Sequence, residues 1–191
     1  MHRSRRSTPP GPVRLFTRMK TISSKPLLYL FAGLPGSGKT TLAQRLAQHT
    51  GALFLRIDTI EQALRDLCGV DVQGEGYRLA YRIAADNLRI GLSVIADCCN
   101  PIELTRDEWE DVARLNDARW IHVDIVCTDP DEHRRRVETR LQTHSDQSMP
   151  TWEDVCSREI HPWTRPRLII DTAHATVEES FQNLLKQTSI P

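Results

Sequence analysis

Short apolar runs alternate along this chain with longer stretches of helical periodicity. The first run, LLYLFA at residues 27–32, has no polar interruption, as a strand buried on both faces requires. A helical pattern, TLAQRLAQH, occupies residues 41–49. A short strand is expected over 52–57 (ALFLRI), closed by Asp58. Residues 59–67 place apolar side chains at 60, 63, 64 and 67, the spacing of one helix face. After a turn-rich break at 69–76, a second helix is expected over 77–90, burying Leu79, Ile83, Leu88 and Ile90. LSVIA at 92–96 predicts a third strand ending at Asp97. Asn100 and Pro101 open a helix reaching about Asn116, since proline suits a first helical turn. WIHVDIVC at 120–127 reads as the fourth strand, and Asp129-Pro130 caps a helix over 131–141. The polar stretch QTHSDQSMP at 142–150 separates it from a helix at 151–160. RLII at 167–170 predicts a fifth strand ending at Asp171, and 176–187 a closing helix.

Between the first strand and the first helix stands GLPGSGKT, residues 33–40, a complete G-x-x-x-x-G-K-[ST] loop in its required strand–loop–helix setting. Its glycines let backbone N–H groups turn inward around a polyphosphate, and the new helix adds its positive dipole end. Gly33, Pro35, Gly36, Ser37, Gly38, Lys39, Thr40 and Thr41 are therefore the candidate nucleotide ligands. Lys39 would reach the β- and γ-phosphates, and the Thr40 hydroxyl would hold Mg²⁺. No N-K-x-D motif accompanies the D-x-x-G at 66–69, which favours ATP over GTP.

With this loop, alternating strands and helices predict an α/β three-layer sandwich of the P-loop type, its five-stranded parallel sheet in the order 2-3-1-4-5. Ligands in such sheets bind beyond the carboxyl ends of the strands. The polar residues expected there are Gly33, Asp58, Asp97, Thr128 and Asp171, three of them carboxylates suited to handling a metal and a proton.

The 191 residues suffice for one domain with a full core. A net charge of zero hides an asymmetry. Residues 1–25 carry seven Lys/Arg and no acid, leaving 18 basic against 25 acidic residues elsewhere. An acidic body argues against a nucleic-acid partner. Residues 1–25 are expected to be a disordered or spurious basic extension, with Met19 a plausible start, and 26–191 the domain. Five irregularly spaced cysteines fit a reducing cytoplasm better than a disulfide framework. No apolar run approaches the length of a membrane span. The seven histidines include no H-x-x-x-H pair, which argues against a zinc site, and oligomeric state has no signature.

Asp97 closes an apolar strand as a Mg²⁺-supporting acid does. Asp58 would cap the next helix and, across from the γ-phosphate, accept a proton from an attacking hydroxyl. In the run Arg134-Arg135-Arg136, only Arg136 shares a helix face with Arg140. Both precede the polar break, where a lid near 134–152 would begin, and guanidinium groups there would stabilise a transferring phosphate. Arg134 and Arg135 read as a solvated face. His161-Pro-Trp163 and Trp152 are expected to pack the base of the lid.

Over residues 27–188 the chain resembles the small P-loop kinases grouped loosely with AAA-family ATPases, among them chloramphenicol phosphotransferase, zeta toxin, gluconate kinase and the kinase domain of phage polynucleotide kinase. The likeness rests on GLPGSGKTTLAQRLA, RIDTIEQALR, the Asp97 strand, CTDPDEHRRRVETR and PTWEDVCSREIHPWTRPRLIIDT. It implies Asp58 as general base, Lys39 and Thr40 on phosphates and Mg²⁺, and a lid arginine at Arg136 or Arg140. The stretch QTHSDQSMP lacks the arginines some of these kinases carry in the lid, so they must come from the preceding helix. The expected activity is transfer of the ATP γ-phosphate to a hydroxyl of a small molecule in the cytoplasm. The alternatives are a regulatory ATPase without an acceptor and a polynucleotide 5′-kinase. Cys98 argues against a AAA+ machine, since it stands where those proteins place a catalytic Glu.

Overall fold

The computed structural model describes residues 25–143 and 149–189. The basic extension, apart from Lys25, and the middle of the polar stretch lie outside the described residues.

Five strands form one parallel sheet in the order β2-β3-β1-β4-β5, as expected. They are β1 (Leu27–Ala32), β2 (Leu53–Arg56), β3 (Val94–Asp97), β4 (Arg119–Val126) and β5 (Leu168–Asp171). Among the described residues seven helices connect or follow them: α1 (Lys39–Thr50), α2 (Ile57–Cys68), α3 (Glu75–Arg89), α4 (Glu103–Leu115), α5 (Pro130–Thr143), α6 (Trp152–Ser157) and α7 (Val177–Thr188).

β1 is central and buried on both sides because successive side chains alternate between two apolar layers. Leu28 and Leu30 join Val94 and Ala96 of β3 beneath α3 and α4, where Trp109 and Ala113 pack. Tyr29 and Phe31 point the other way, toward Leu42, Ala43 and Leu46 of α1 and Phe181 and Leu184 of α7. β1 pairs with β3 and β4, and Phe31 lies level with both Asp97 and Val123. This register brings the phosphate loop and the end of β3 to the same edge of the sheet.

Three local expectations are corrected. α3 buries Ala80, Ala84 and Leu88, whereas Leu79, Ile83 and Ile90 are exposed. The small residues let α3 lie close to its neighbours, and ranking positions by side-chain size selected the wrong face. α4 starts at Glu103 with Ile102 as its cap, so Pro101 precedes the helix instead of occupying its first turn. Asp58 is the second residue of α2 and not its cap, because the chain turns helical directly at the end of β2, with Arg56 in the cap position.

The segment after α6 is held by Arg106 of α4, almost entirely buried. Its guanidinium donates to the carbonyls of Asn100, Pro101, His161 and Pro162 and stacks 3.9 Å from the centre of the Trp163 ring. Arg165 adds ion pairs to Asp107 at 2.7 Å and Glu110 at 2.8 Å. Arg106→Ala would leave four carbonyls without this donor and a cavity under Trp163. A loss of roughly 3 kcal/mol of stability is expected, measured by urea unfolding. An unchanged midpoint would show that the strap does not depend on this arginine.

Candidate functional site

The loop 33–40 turns over the end of β1 and is pinned from two directions. His133, buried on α5, donates from Nε2 to the Pro35 carbonyl at 2.8 Å. The Thr172 hydroxyl, just beyond β5, donates to the Ser37 carbonyl at 2.8 Å. Gly36 lies so close to α5 that a Cβ would stand 2.6 Å from Val137 Cγ2. A Cβ on Gly33 would meet the Ile125 carbonyl oxygen at 2.2 Å. Glycine is therefore demanded at both positions by close packing as well as by positive φ.

Over this loop opens a cavity of about 440 Å³, lined by Gly36, Gly38, Lys39, Thr40, Thr41, Arg136, Arg140 and Thr172 among others. Five of the eight expected nucleotide ligands face it. Gly33 and Ser37 instead border a smaller cavity of about 320 Å³ on the opposite side of the loop. Pro35 borders a third, of about 710 Å³, over α2.

Asp97 lies beneath Lys39 and is 1% exposed, yet neither carboxylate oxygen has a hydrogen-bond partner. Arg56 Nε approaches Oδ2 only to 4.0 Å and is itself unpartnered. Burial raises the Asp97 pKa; nearby Lys39 and the Thr40 hydroxyl counter this in part, and Asp58 adds to it. A buried carboxylate with no close, well-aligned hydrogen bond, and with the Thr40 hydroxyl and the Lys39 charge beside it, is costly unless a cation joins it. Asp97 with the Thr40 hydroxyl is an all-oxygen donor set of the kind Mg²⁺ takes, so these residues fit that ion.

Asp58 is exposed at the start of α2, 3.4 Å from Arg56, and faces the 710 Å³ cavity. Arg56 thus approaches both Asp58 and Asp97. Asp171, the third strand-end carboxylate, is not part of this group. It accepts from the Thr128 and Ala173 amides, and despite partial burial those bonds and the Thr128 hydroxyl hold its pKa low.

The arginines of α5 divide as their helical positions require. Arg134 pairs with Glu138 at 2.7 Å on the outer face. Arg136 is held by Glu132 at 2.6 Å and by the Thr172 hydroxyl and carbonyl, both at 2.8 Å. Arg140 forms no ion pair with a described residue and lines both the 440 and the 710 Å³ cavities.

Two residues that hold the site escaped the sequence reading. His133 carries no motif, but it stands four residues before buried Val137, so the inward stripe of α5 passes through it. Thr172 follows an assigned strand end, with nothing in its own identity to mark it. Trp152 packs edge-on against His133 of α5 at 5.2 Å. Trp163 stacks on Arg106 and borders the 320 Å³ cavity together with His133.

Asp97→Asn is expected to separate stability from ion binding. Because the carboxyl pKa is raised in the fold, its stability contribution is present below the unfolded value of 3.8 and is lost as pH rises through the folded value. The amide removes that penalty, so the nucleotide-free variant should melt a few degrees higher at neutral pH, an advantage that fades in acid. Its Mg²⁺-dependent nucleotide affinity should fall. A lower melting temperature at neutral pH would contradict the unpaired state of this carboxylate.

The AAA domain family matches residues 28–158, from β1 through the end of α6. Two curated relatives, the signal recognition particle receptors FtsY of Helicobacter pylori strains 26695 and J99, are each 46% identical over 52 residues. That stretch is 25% of this chain and 18% of theirs, so the chain spans under a fifth of their length. Among solved structures, a gluconokinase from Sinorhizobium meliloti superposes with a TM-score of 0.62 at 16% identity, over 86% of this chain and 93% of its own. The Mycobacterium tuberculosis APS kinase CysC, in complex with AMPPNP and APS, gives 0.63 at 19% identity, over 86% of this chain and 98% of its own. At such identities the likeness is one of fold. The profile match takes in the phosphate loop, Asp58, Asp97 and the arginines of α5, and the chain belongs to the AAA domain family.

Proposed function

We propose that this protein is an ATP-dependent phosphotransferase acting on a hydroxyl of a small molecule. One observation carries the reading: the cavity over the phosphate loop and the larger cavity over α2 share Lys39, Arg56 and Arg140. A nucleotide held by the loop would direct its terminal phosphate to this common wall. The chamber beyond it, about 710 Å³, has room for an acceptor and contains Asp58. A regulatory ATPase needs no second chamber there.

In this reading Gly36, Gly38, Lys39, Thr40 and Thr41 hold ATP, with Gly33, Pro35 and Ser37 shaping the loop around it. Thr40 and Asp97 would hold Mg²⁺, which when bound neutralises charge on the phosphates. Asp58 accepts the proton of the acceptor hydroxyl. Arg140 supplies positive charge to the equatorial oxygens of the transferring group, beside Arg136 fixed on Thr172. In this reading the catalytic unit would be residues 26–191, and a lid would begin on α5.

The test is ADP formation with Mg·ATP against a panel of sugars, sugar acids, nucleosides and amino alcohols. Acceptor-dependent turnover well above hydrolysis is expected for at least one class. Hydrolysis that no acceptor stimulates, with unaltered turnover in Asp58→Asn, would overturn the reading.

A further inference from the structure

The chamber over α2 has an unequal charge distribution. Asp58, Glu61, Gln62 and Arg65 of α2 all line it, at the i, i+3, i+4 and i+7 spacing of one helix face. Such a polar stripe ordinarily meets bulk water. Here Met149, Pro150 and Arg158, brought over by the segment around α6, line the same chamber. Five cations border it, Lys39, Arg56, Arg65, Arg140 and Arg158, against the carboxylates of Asp58, Glu61 and Asp66.

The cations are not equally committed. Lys39 and Arg140 belong to the wall shared with the phosphate loop. Arg56 lies between Asp58 at 3.4 Å and Asp97 at 4.0 Å. Arg65 reaches Glu61 at 3.5 Å, a long pair between partly exposed side chains. Arg158, at the end of α6, forms no ion pair with a described residue. Its charge nevertheless acts on the chamber, since it helps offset the burial that raises the Glu61 pKa. Glu61 is pressed into the wall by the helix behind it, a Cβ on Gly76 of α3 standing 2.3 Å from Glu61 Cγ.

From this geometry we infer that the acceptor carries an anionic group, a carboxylate or a phosphate, bound by Arg65 and Arg158 of the chamber wall. This rests on the phosphotransferase reading above and adds the chemical class of the substrate. Guanidinium groups suit the task because their planar donor fork matches either anion. Asp58 and Arg65 stand two turns apart on α2, about 10 Å along its axis. An anion held by Arg65 would therefore lie at the opposite end of the acceptor from the hydroxyl that receives the phosphate. Bulk-exposed arginines without a cavity between them would carry no such inference.

The experiment compares D-ribose, D-ribonate and D-ribose 5-phosphate as ligands of the full chain saturated with Mg·AMPPNP, measured by calorimetry. Saturating nucleotide analogue keeps the anions off the phosphate loop. At least one acid is expected to bind tenfold or more tightly than ribose, with a preference that weakens as salt is added. Arg158→Gln should abolish that preference while the affinity for ribose stays the same. Ribonate as the better ligand identifies a carboxylate, and ribose 5-phosphate a phosphate. Equal binding of all three, or an acid preference that survives Arg158→Gln, overturns the inference and leaves the phosphotransferase reading standing. Failure of Mg·AMPPNP itself to bind overturns both.

Discussion

Replacing Asp58 by Asn is expected to slow phosphoryl transfer by about 10²–10⁴-fold, the usual share of general base catalysis. The amide has the same shape but cannot take the hydroxyl proton. Asp58 is exposed and among the described residues pairs only with Arg56, at 3.4 Å, so the fold should barely register the change. Loss of a negative charge in the first turn of α2 costs about 0.3–1 kcal/mol at most. Nucleotide affinity should be retained, because Asp58 lines the chamber over α2 and not the cavity over the phosphate loop. Steady-state kinetics with the acceptor, alongside a thermal melt and nucleotide titration, separate these effects. Transfer at a near wild-type rate would remove Asp58 as the base. A collapse in Mg·ATP affinity would make it a metal ligand instead. Hydrolysis with water as acceptor provides the measurement before an acceptor is known, and it should fall in step.

Lys39→Ala should lower turnover by about 10²–10³ or more, the effect of losing a donor aimed at charge that develops during transfer. Nucleotide affinity should fall with it. Unlike Asp58, Lys39 is buried beside Asp97, and its charge partly offsets the burial of that carboxylate. Without it the Asp97 pKa should rise further, so the variant's Mg²⁺ requirement should become more sensitive to acid. Circular dichroism and a magnesium titration at two pH values check both points. Unchanged affinity and turnover would remove the loop from nucleotide binding.

The sheet order and the loop were legible because each rests on a strong local signal. Uninterrupted apolar runs mark buried parallel strands, and few sequences besides a phosphate loop combine those glycines with Lys39 and Thr40. The helix faces were harder to read. Ala80 and Ala84 point inward on α3 because closeness of approach, and not side-chain size, decides its packing. Asp58 looked like a cap because strand and helix were assumed to be separated by a joint that the chain omits. His133 and Thr172 were invisible because each acts on a backbone carbonyl of the loop from a distant part of the sequence. Arg106 was equally silent: its four carbonyl acceptors come from two segments that meet only in the fold.

The hydrogen bond from His133 to Pro35 makes α5 a lever. Its pivot is the turn that touches the loop, and the residues beyond it lie at increasing distance along a rigid arm. Arg136 is three residues out, roughly 4–5 Å, and is tethered to Thr172. Arg140 is seven residues out, roughly 10 Å, and untethered to any described residue. Any tilt of the arm about its anchored end therefore sweeps Arg140 through more than twice the arc of Arg136. Were the arm to tilt, Arg136 would stay near its anchor and Arg140 would be the tip that travels.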